Sequence, residues 1–279
     1  MFNRITAFIL PSLVVVAFGV IPTAWGQNQT GDFDPRDFSG IWEIGGPSAF
    51  QGFGLATRPE LTPRTLEVMA DRIPSPGAAR FHPLMPDVPY AHLSNDPDYQ
   101  CNPQGFPKLL IDAEPLEMIM LPNRILQVFQ WEHRIRYIWM DGRELPSGDN
   151  LDFLGPAWYG HSVGRWEGDT LVVNTIGLDE RAWLDRPGHP VSLNTQIEER
   201  YTRVGPDSIE HEMTAYDPEF YAGPWPAAPR RLEREPSENY TYFEWSSLFS
   251  GITEGICAPI NEVEGYNEGF RDIAVDPED

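Results

Sequence analysis

From Leu116 onward the chain is divided into short apolar-rich runs by turn-forming residues, and it almost never shows the three-to-four-residue spacing of a helix. The pattern is clearest in GHSVGRWEGDTLVV, residues 160–173, where two runs of strand formers flank Glu167-Gly168-Asp169. The stretch EMIMLPNRILQVFQWEHRIRYIWMDGREL adds three runs, broken at Pro122-Asn123 and Glu132-His133 and closed by a turn at Asp141-Gly142. Residues 195–203 alternate, Gly205-Pro206-Asp207-Ser208 turn, and residues 209–216 return. Further strands are expected at residues 40–44, 231–234 and 240–245. About eight to ten short strands joined by turns predict a mainly β fold, an antiparallel barrel or sandwich with few short helices.

Residues 1–26 read as an export signal. Arg4 gives a positive start, residues 5–20 are apolar, and Ala24-Trp25-Gly26 offers small residues for cleavage. The run is short for a membrane span and Pro11 interrupts it. The expected location is therefore periplasmic or secreted, with no membrane insertion after the signal is removed. Residues 27–115 hold the first strand, Pro/Gly-rich loops and one short helix opened by Thr62-Pro63, with Leu66, Met69 and Ala70 as its apolar stripe. Residues 116–270 form the β-rich main body, one domain with the preceding segment, and residues 271–279 an acidic tail.

The formal charge is −22, from 42 acidic against 20 basic residues. Phosphates would be repelled, so nucleic acid is not an expected partner. Lys108 is the only lysine, and its Pro-Lys-Leu setting gives no sign of a buried, activated amine, which argues against Schiff-base chemistry. In an oxidising compartment Cys101 and Cys257 most simply form one disulfide.

Two resemblances add to this. Ser39-Gly40-Ile41-Trp42 resembles the Gly-x-Trp opening strand of lipocalin-like β-barrels, in which the tryptophan closes the barrel base. More broadly, DFSGIW, CNPQGFP, MDGREL, SVGRWEGDTLVVNTIG, AWLDRPGHP and EERYTR together resemble a large, mostly uncharacterised family of exported bacterial proteins. That resemblance implies a β-rich exported fold and no particular reaction. Asp185, His189, Glu199 and Arg200 match its pattern. Val191 and Leu193 stand where polar groups are usual, and His161 fills a position associated with other residues.

Candidate chemistry centres on histidine. Asp185 and His189 flank Arg-Pro-Gly, a spacing that lets the carboxylate fix one ring nitrogen and leave the other as acid or base, or that simply stabilises a turn. His161 lies at a strand start, facing a cavity mouth or packed as a structural histidine. Glu199 and Arg200 point to opposite faces of one strand. An inward Glu199 with a raised pKa would be an acid–base group and an inward Arg200 an oxyanion holder, with an internal ion pair as the competing reading. Tyr137, Trp158, Tyr159 and Trp183 are expected as aromatic walls of a substrate site. No His-x-His or His-x-x-x-His pair occurs and no phosphate loop or dinucleotide fingerprint appears, so no metal and no cofactor are expected, with a zinc site assembled from distant residues such as His161 and His189 as the alternative. His211 between Glu210 and Glu212 reads as a solvated face. Gly160-His161-Ser162-Val163-Gly164 spells a nucleophile elbow but leads into a hairpin, not a helix, so a serine hydrolase using Ser162 is a minor alternative.

These readings favour a cofactor-independent exported enzyme, of lyase, dehydratase or isomerase type, acting on a small apolar or aromatic molecule. The alternatives are a lipocalin-type carrier of such a molecule and a structural envelope protein.

Overall fold

A computed structural model describes residues 33–47, 49–85, 93–112, 114–234 and 257. The expected signal, the strand at residues 240–245 and the acidic tail lie outside these. In chain order the elements are β1 (Gly40–Gly45), α1 (Pro63–Met69), β2 (Leu116–Leu121), β3 (Arg124–Phe129), β4 (Ile135–Trp139), α2 (Asp149–Leu154), β5 (His161–Glu167), β6 (Thr170–Ile176), β7 (Gln196–Gly205), β8 (Ser208–Tyr216), β9 (Trp225–Pro226) and β10 (Arg230–Arg234).

Strands β1 to β8 pair in sequence order, and β10 pairs with both β8 and β1, closing a nine-stranded barrel; β9 extends the edge of β8. Among the described residues, closure leaves no long unpaired edge. The barrel is mixed rather than antiparallel throughout, because β4 and β5 run parallel. The physical reason is the connection: residues 140–160, which carry α2, travel back along the wall before β5 begins, and a parallel pair requires a crossover of that kind. The break expected at Glu132-His133 is a short 3-10 turn, Trp131–His133.

Alternation decides which side chains enter the barrel. Inward positions include Trp42 and Ile44, Ile125 and Phe129, Leu171 and Val173, Ile197, Ile209 and Met213, all buried in one apolar core. Trp42 is fully buried, donates its Nε1–H to the Phe38 carbonyl at 2.8 Å, and lies under the Arg234 guanidinium at 4.3 Å.

The proline-rich segment folds over the barrel. Thr62 caps α1, its Oγ1 accepting from the Thr65 amide at 3.3 Å. The helix buries Thr65 and Met69, while Leu66 and Ala70 of the expected stripe face solvent. Thr65 wins because its hydroxyl donates to the buried Phe220 carbonyl, which satisfies both groups. Further on, Phe106, Leu109, Leu110 and Ile111 join the core, and the Phe106 ring lies 3.8 Å from the guanidinium of Arg136. Cys101 and Cys257 are disulfide-bonded, with Cα atoms 5.5 Å apart.

Candidate functional site

The Asp185–His189 loop is a closed hydrogen-bonded unit. Gly188 donates to the Asp185 carbonyl at 3.1 Å and Leu184 to the His189 carbonyl at 2.7 Å, folding the side chains together. The Asp185 carboxylate accepts from His189 Nδ1 at 2.9 Å, from the His189 amide at 3.1 Å and from the Phe53 amide at 2.9 Å. Gly52 permits this approach, since a Cβ there would fall 2.4 Å from Asp185 Oδ2. Burial opposes the charge on Asp185, yet His189 and the two amides hold its pKa below the usual carboxylate value. A carboxylate only accepts, so the proton is assigned to Nδ1 and Nε2 carries the lone pair. Nε2 faces Arg58 NH1 at 3.5 Å, and the ring packs edge-on against Trp225 at 4.8 Å. His189 is 2% exposed. The dyad exists, in a buried setting.

Glu199 turns inward, as one of the pair had to, and Arg200 turns outward to Glu167 at 2.9 Å. Glu199 meets Arg136, a fully buried residue of β4 whose two terminal nitrogens grip both carboxylate oxygens. The expectation of a raised pKa is overturned: burial works against the charge, but Arg136 and His211 hold Glu199 at about 2. It is the anion of an ion pair and a poor proton acceptor. Arg136 also donates to Gln127 Oε1 at 3.0 Å, Ser162 Oγ at 3.0 Å and Thr175 Oγ1 at 2.8 Å, while Tyr201 OH donates to Glu199 at 2.6 Å. Arg136, Gln127, Thr175 and Tyr201 were not singled out from the sequence. The signal was parity: Arg136 shares its strand face with Ile138, and Gln127 with Ile125 and Phe129. His211 is likewise corrected. It lies two residues from Ile209 and Met213, points inward and is buried, with its ring flat on Tyr201 at 4.2 Å.

Ser162 bonds to Arg136 and to Thr175, at 2.8 Å, neither of which is a base. It lies within β5, with no helix after it.

Around the β4–β5 junction the wall opens. These strands pair only at Ile138 with Ser162 and Trp139 with Val163. Beside the pairing lies a groove of about 500 Å³ lined by Ile135, Tyr137, Trp139, Trp158, Tyr159 and His161, with Arg136 and Ser162 beneath. Tyr137 and Trp139 are near parallel, ring centres 6.4 Å apart, and Arg181 covers Trp158 at 4.9 Å. His161 donates Nε2–H to the Gly155 carbonyl at 2.9 Å, which leaves Nδ1 as an acceptor. Of the four expected aromatic walls, three gather here with His161. Trp183 does not: it is buried between Arg72 at 5.2 Å and Lys108 at 5.8 Å.

Lys108, expected to be unremarkable, is fully buried against Asp96 and Asp98. Burial favours its neutral form, but the two carboxylates keep the ammonium charged, so it is a buried cation and no nucleophile. Burial pushes Asp96 up to about 7 despite Lys108. Among the described residues, no three His, Cys, Asp or Glu side chains are placed to hold a metal ion.

Fold and site together define a closed mixed β-barrel with a charged, hydrogen-bonded interior and an aromatic groove in its wall. No protein-family model, curated protein or solved structure matches the chain.

Proposed function

We propose that this is an exported small-molecule binding protein of carrier type, which takes an apolar or aromatic ligand into the groove between β4 and β5. The observation that carries this reading is the convergence of Tyr137, Trp139, Trp158 and Tyr159 on one opening of about 500 Å³, the size of a small-molecule site. Rigid aromatic walls favour flat apolar ligands by stacking and area burial. Turnover is disfavoured by what surrounds the acid–base groups. Glu199 is neutralised by Arg136, Arg200 points away, and His189 is packed against Trp225. The Cys101–Cys257 bridge fits an oxidising compartment.

The test is titration of the full chain with indole and with naphthalene, followed by tryptophan fluorescence. Saturable quenching that is lost in Trp158→Ala and Tyr137→Ala is expected. Absence of saturable quenching with either probe overturns the reading. A second reading rests on the Asp185–His189 contact, which fixes a tautomer suited to lyase or isomerase chemistry. It predicts that His189→Gln abolishes turnover without unfolding the protein.

A further inference from the structure

The barrel closes where β10 meets β8, and there Arg230 stands directly opposite His211. Both side chains turn inward, at 3% and 2% exposure. A pocket of about 420 Å³ opens at this seam, lined by the two residues with Gly45, Gly46 and Pro229, and with Glu210, Glu212 and Glu233 around it. Arg230 NH1 reaches the Pro47 carbonyl at 3.4 Å, but Nε and NH2 have no hydrogen-bond partner among the described residues, and neither ring nitrogen of His211 makes a hydrogen bond with the geometry that holds elsewhere in the barrel. His211 Nε2 is 3.5 Å from Glu199 Oε1 and is not aligned for a hydrogen bond.

The carboxylates that would ordinarily answer a buried guanidinium are engaged elsewhere. Asp112 is held by Arg186 at 2.7 Å and by Gln104 at 2.6 Å, and Glu199 by Arg136 and Tyr201. Glu233, outside, is bonded to Arg231 and Ser208. A buried cation with unmet donors is costly and rare in folded proteins, and the usual explanation is a missing partner. Nε and NH2 form one edge of the guanidinium, spaced for the two oxygens of a planar carboxylate.

We infer that Arg230 and His211 form a second binding site, distinct from the aromatic groove, for a small monocarboxylate that enters at the β8–β10 seam. Burial, partly offset by Asp112, lowers Arg230 to about 10, so it remains charged at neutral pH. Burial also lowers the pKa of His211, partly offset by the Glu199 carboxylate 3.5 Å from Nε2, so the ring is neutral there and has one N–H to offer. The glutamates around the mouth repel a dianion more strongly than a monoanion, which selects carboxylate over phosphate. The unpartnered nitrogens are closed to bulk water, so a carboxylate reaches them from the seam pocket only as the lining side chains move aside.

The experiment is calorimetry and thermal unfolding of the full chain with acetate and benzoate, against acetamide, benzamide and inorganic phosphate. Wild type is expected to bind the carboxylates and melt higher with them, to ignore the amides, and to bind phosphate more weakly. Arg230→Met and His211→Gln should each weaken carboxylate binding, Arg230→Met by about 10- to 100-fold, as for loss of a charged hydrogen bond. Arg230→Met should fold and melt no lower than wild type without ligand, because an unpaired buried cation gives way to an apolar chain of similar length. Trp158→Ala, in the groove, should leave carboxylate binding unchanged, which separates this site from the first. The inference is overturned if carboxylates give wild type neither heat nor a melting shift, or if both variants bind benzoate as tightly as wild type.

Discussion

Replacing Glu199 by Gln tests whether the barrel interior is held by charge rather than by shape. The substitution preserves volume and one acceptor, but leaves the fully buried Arg136 without its counter-ion. The magnitude follows from the pKa. Glu199 is lowered from 4.5 to about 2 in the fold. At about 1.4 kcal/mol per unit, the ionised form contributes roughly 3 kcal/mol at neutral pH. That agrees with the ~3–5 kcal/mol expected when one member of a buried pair is removed. For a chain of this size each kcal/mol shifts Tm by about 2–4 °C, so Glu199→Gln should melt roughly 6–12 °C below wild type at pH 7. The sign is set by the lowered pKa: the stabilisation is present above about 4.5 and is lost as pH falls from there toward 2. The gap between variant and wild type in denaturant titrations should therefore narrow to under half by pH 3. A Glu199→Gln, Arg136→Met double variant should recover part of the loss, since it removes the orphaned cation as well. Equal midpoints for Glu199→Gln and wild type at pH 7, or a gap that does not shrink on acidification, would refute the reasoning.

Removing the disulfide by Cys101→Ser with Cys257→Ser, which opens a sequence separation of 156 residues, should lower stability by about 4–5 kcal/mol on the chain-entropy model, measured by denaturant unfolding. Asp185→Asn removes the charge and turns one of the two acceptor oxygens that serve His189 and the Phe53 amide into a donor; a loss of about 2–4 kcal/mol is expected, and an unchanged melting temperature would argue that the loop does not depend on that carboxylate. Thr62→Ala should cost about 1 kcal/mol through the lost helix cap, a small effect that a denaturant midpoint resolves. Arg200→Gln, outside the barrel on Glu167, should change stability by less than about 1 kcal/mol, in contrast with Glu199→Gln next to it in sequence.

Strand positions were legible because their information is local. Turn residues such as Glu167-Gly168-Asp169, and alternation through residues 195–203, are read from neighbours in the chain, and the hairpin β5–β6 and strands β7 and β8 lie where those features put them. Pairing between distant segments leaves no such trace. The parallel contact of β4 with β5 depends on the path of residues 140–160, which turn chemistry does not specify. The site was half legible for the same reason. Asp185 and His189 are four residues apart and meet in one loop, whereas Arg136 and Glu199 are 63 residues apart. His211 was misread because its acidic neighbours were weighed above its parity with Ile209 and Met213. In a strand, the residue two positions away shares the environment and the adjacent one does not. β9, two residues long, carries too little pattern to be found.

The filled interior has a consequence for where such a barrel can meet a ligand. Phe106, Leu109, Leu110 and Ile111 occupy space inside the core cluster, and the Arg136–Glu199 network ties β4, β5, β6 and β7 together across the interior. A ligand at the centre would have to displace well-packed apolar surface and break a bidentate ion pair, a penalty of several kcal/mol before any contact is gained. Recognition at the wall avoids that penalty. The wall is weakest where the ladder is shortest, at the two-residue β4–β5 pairing, while the seam where β10 meets β8 holds four paired positions. Those are the places where the aromatic groove and the Arg230–His211 pocket occur. Lengthening the β4–β5 ladder by design, without altering Trp158 or Tyr137, should therefore abolish indole binding while raising stability. Retained binding would place recognition elsewhere.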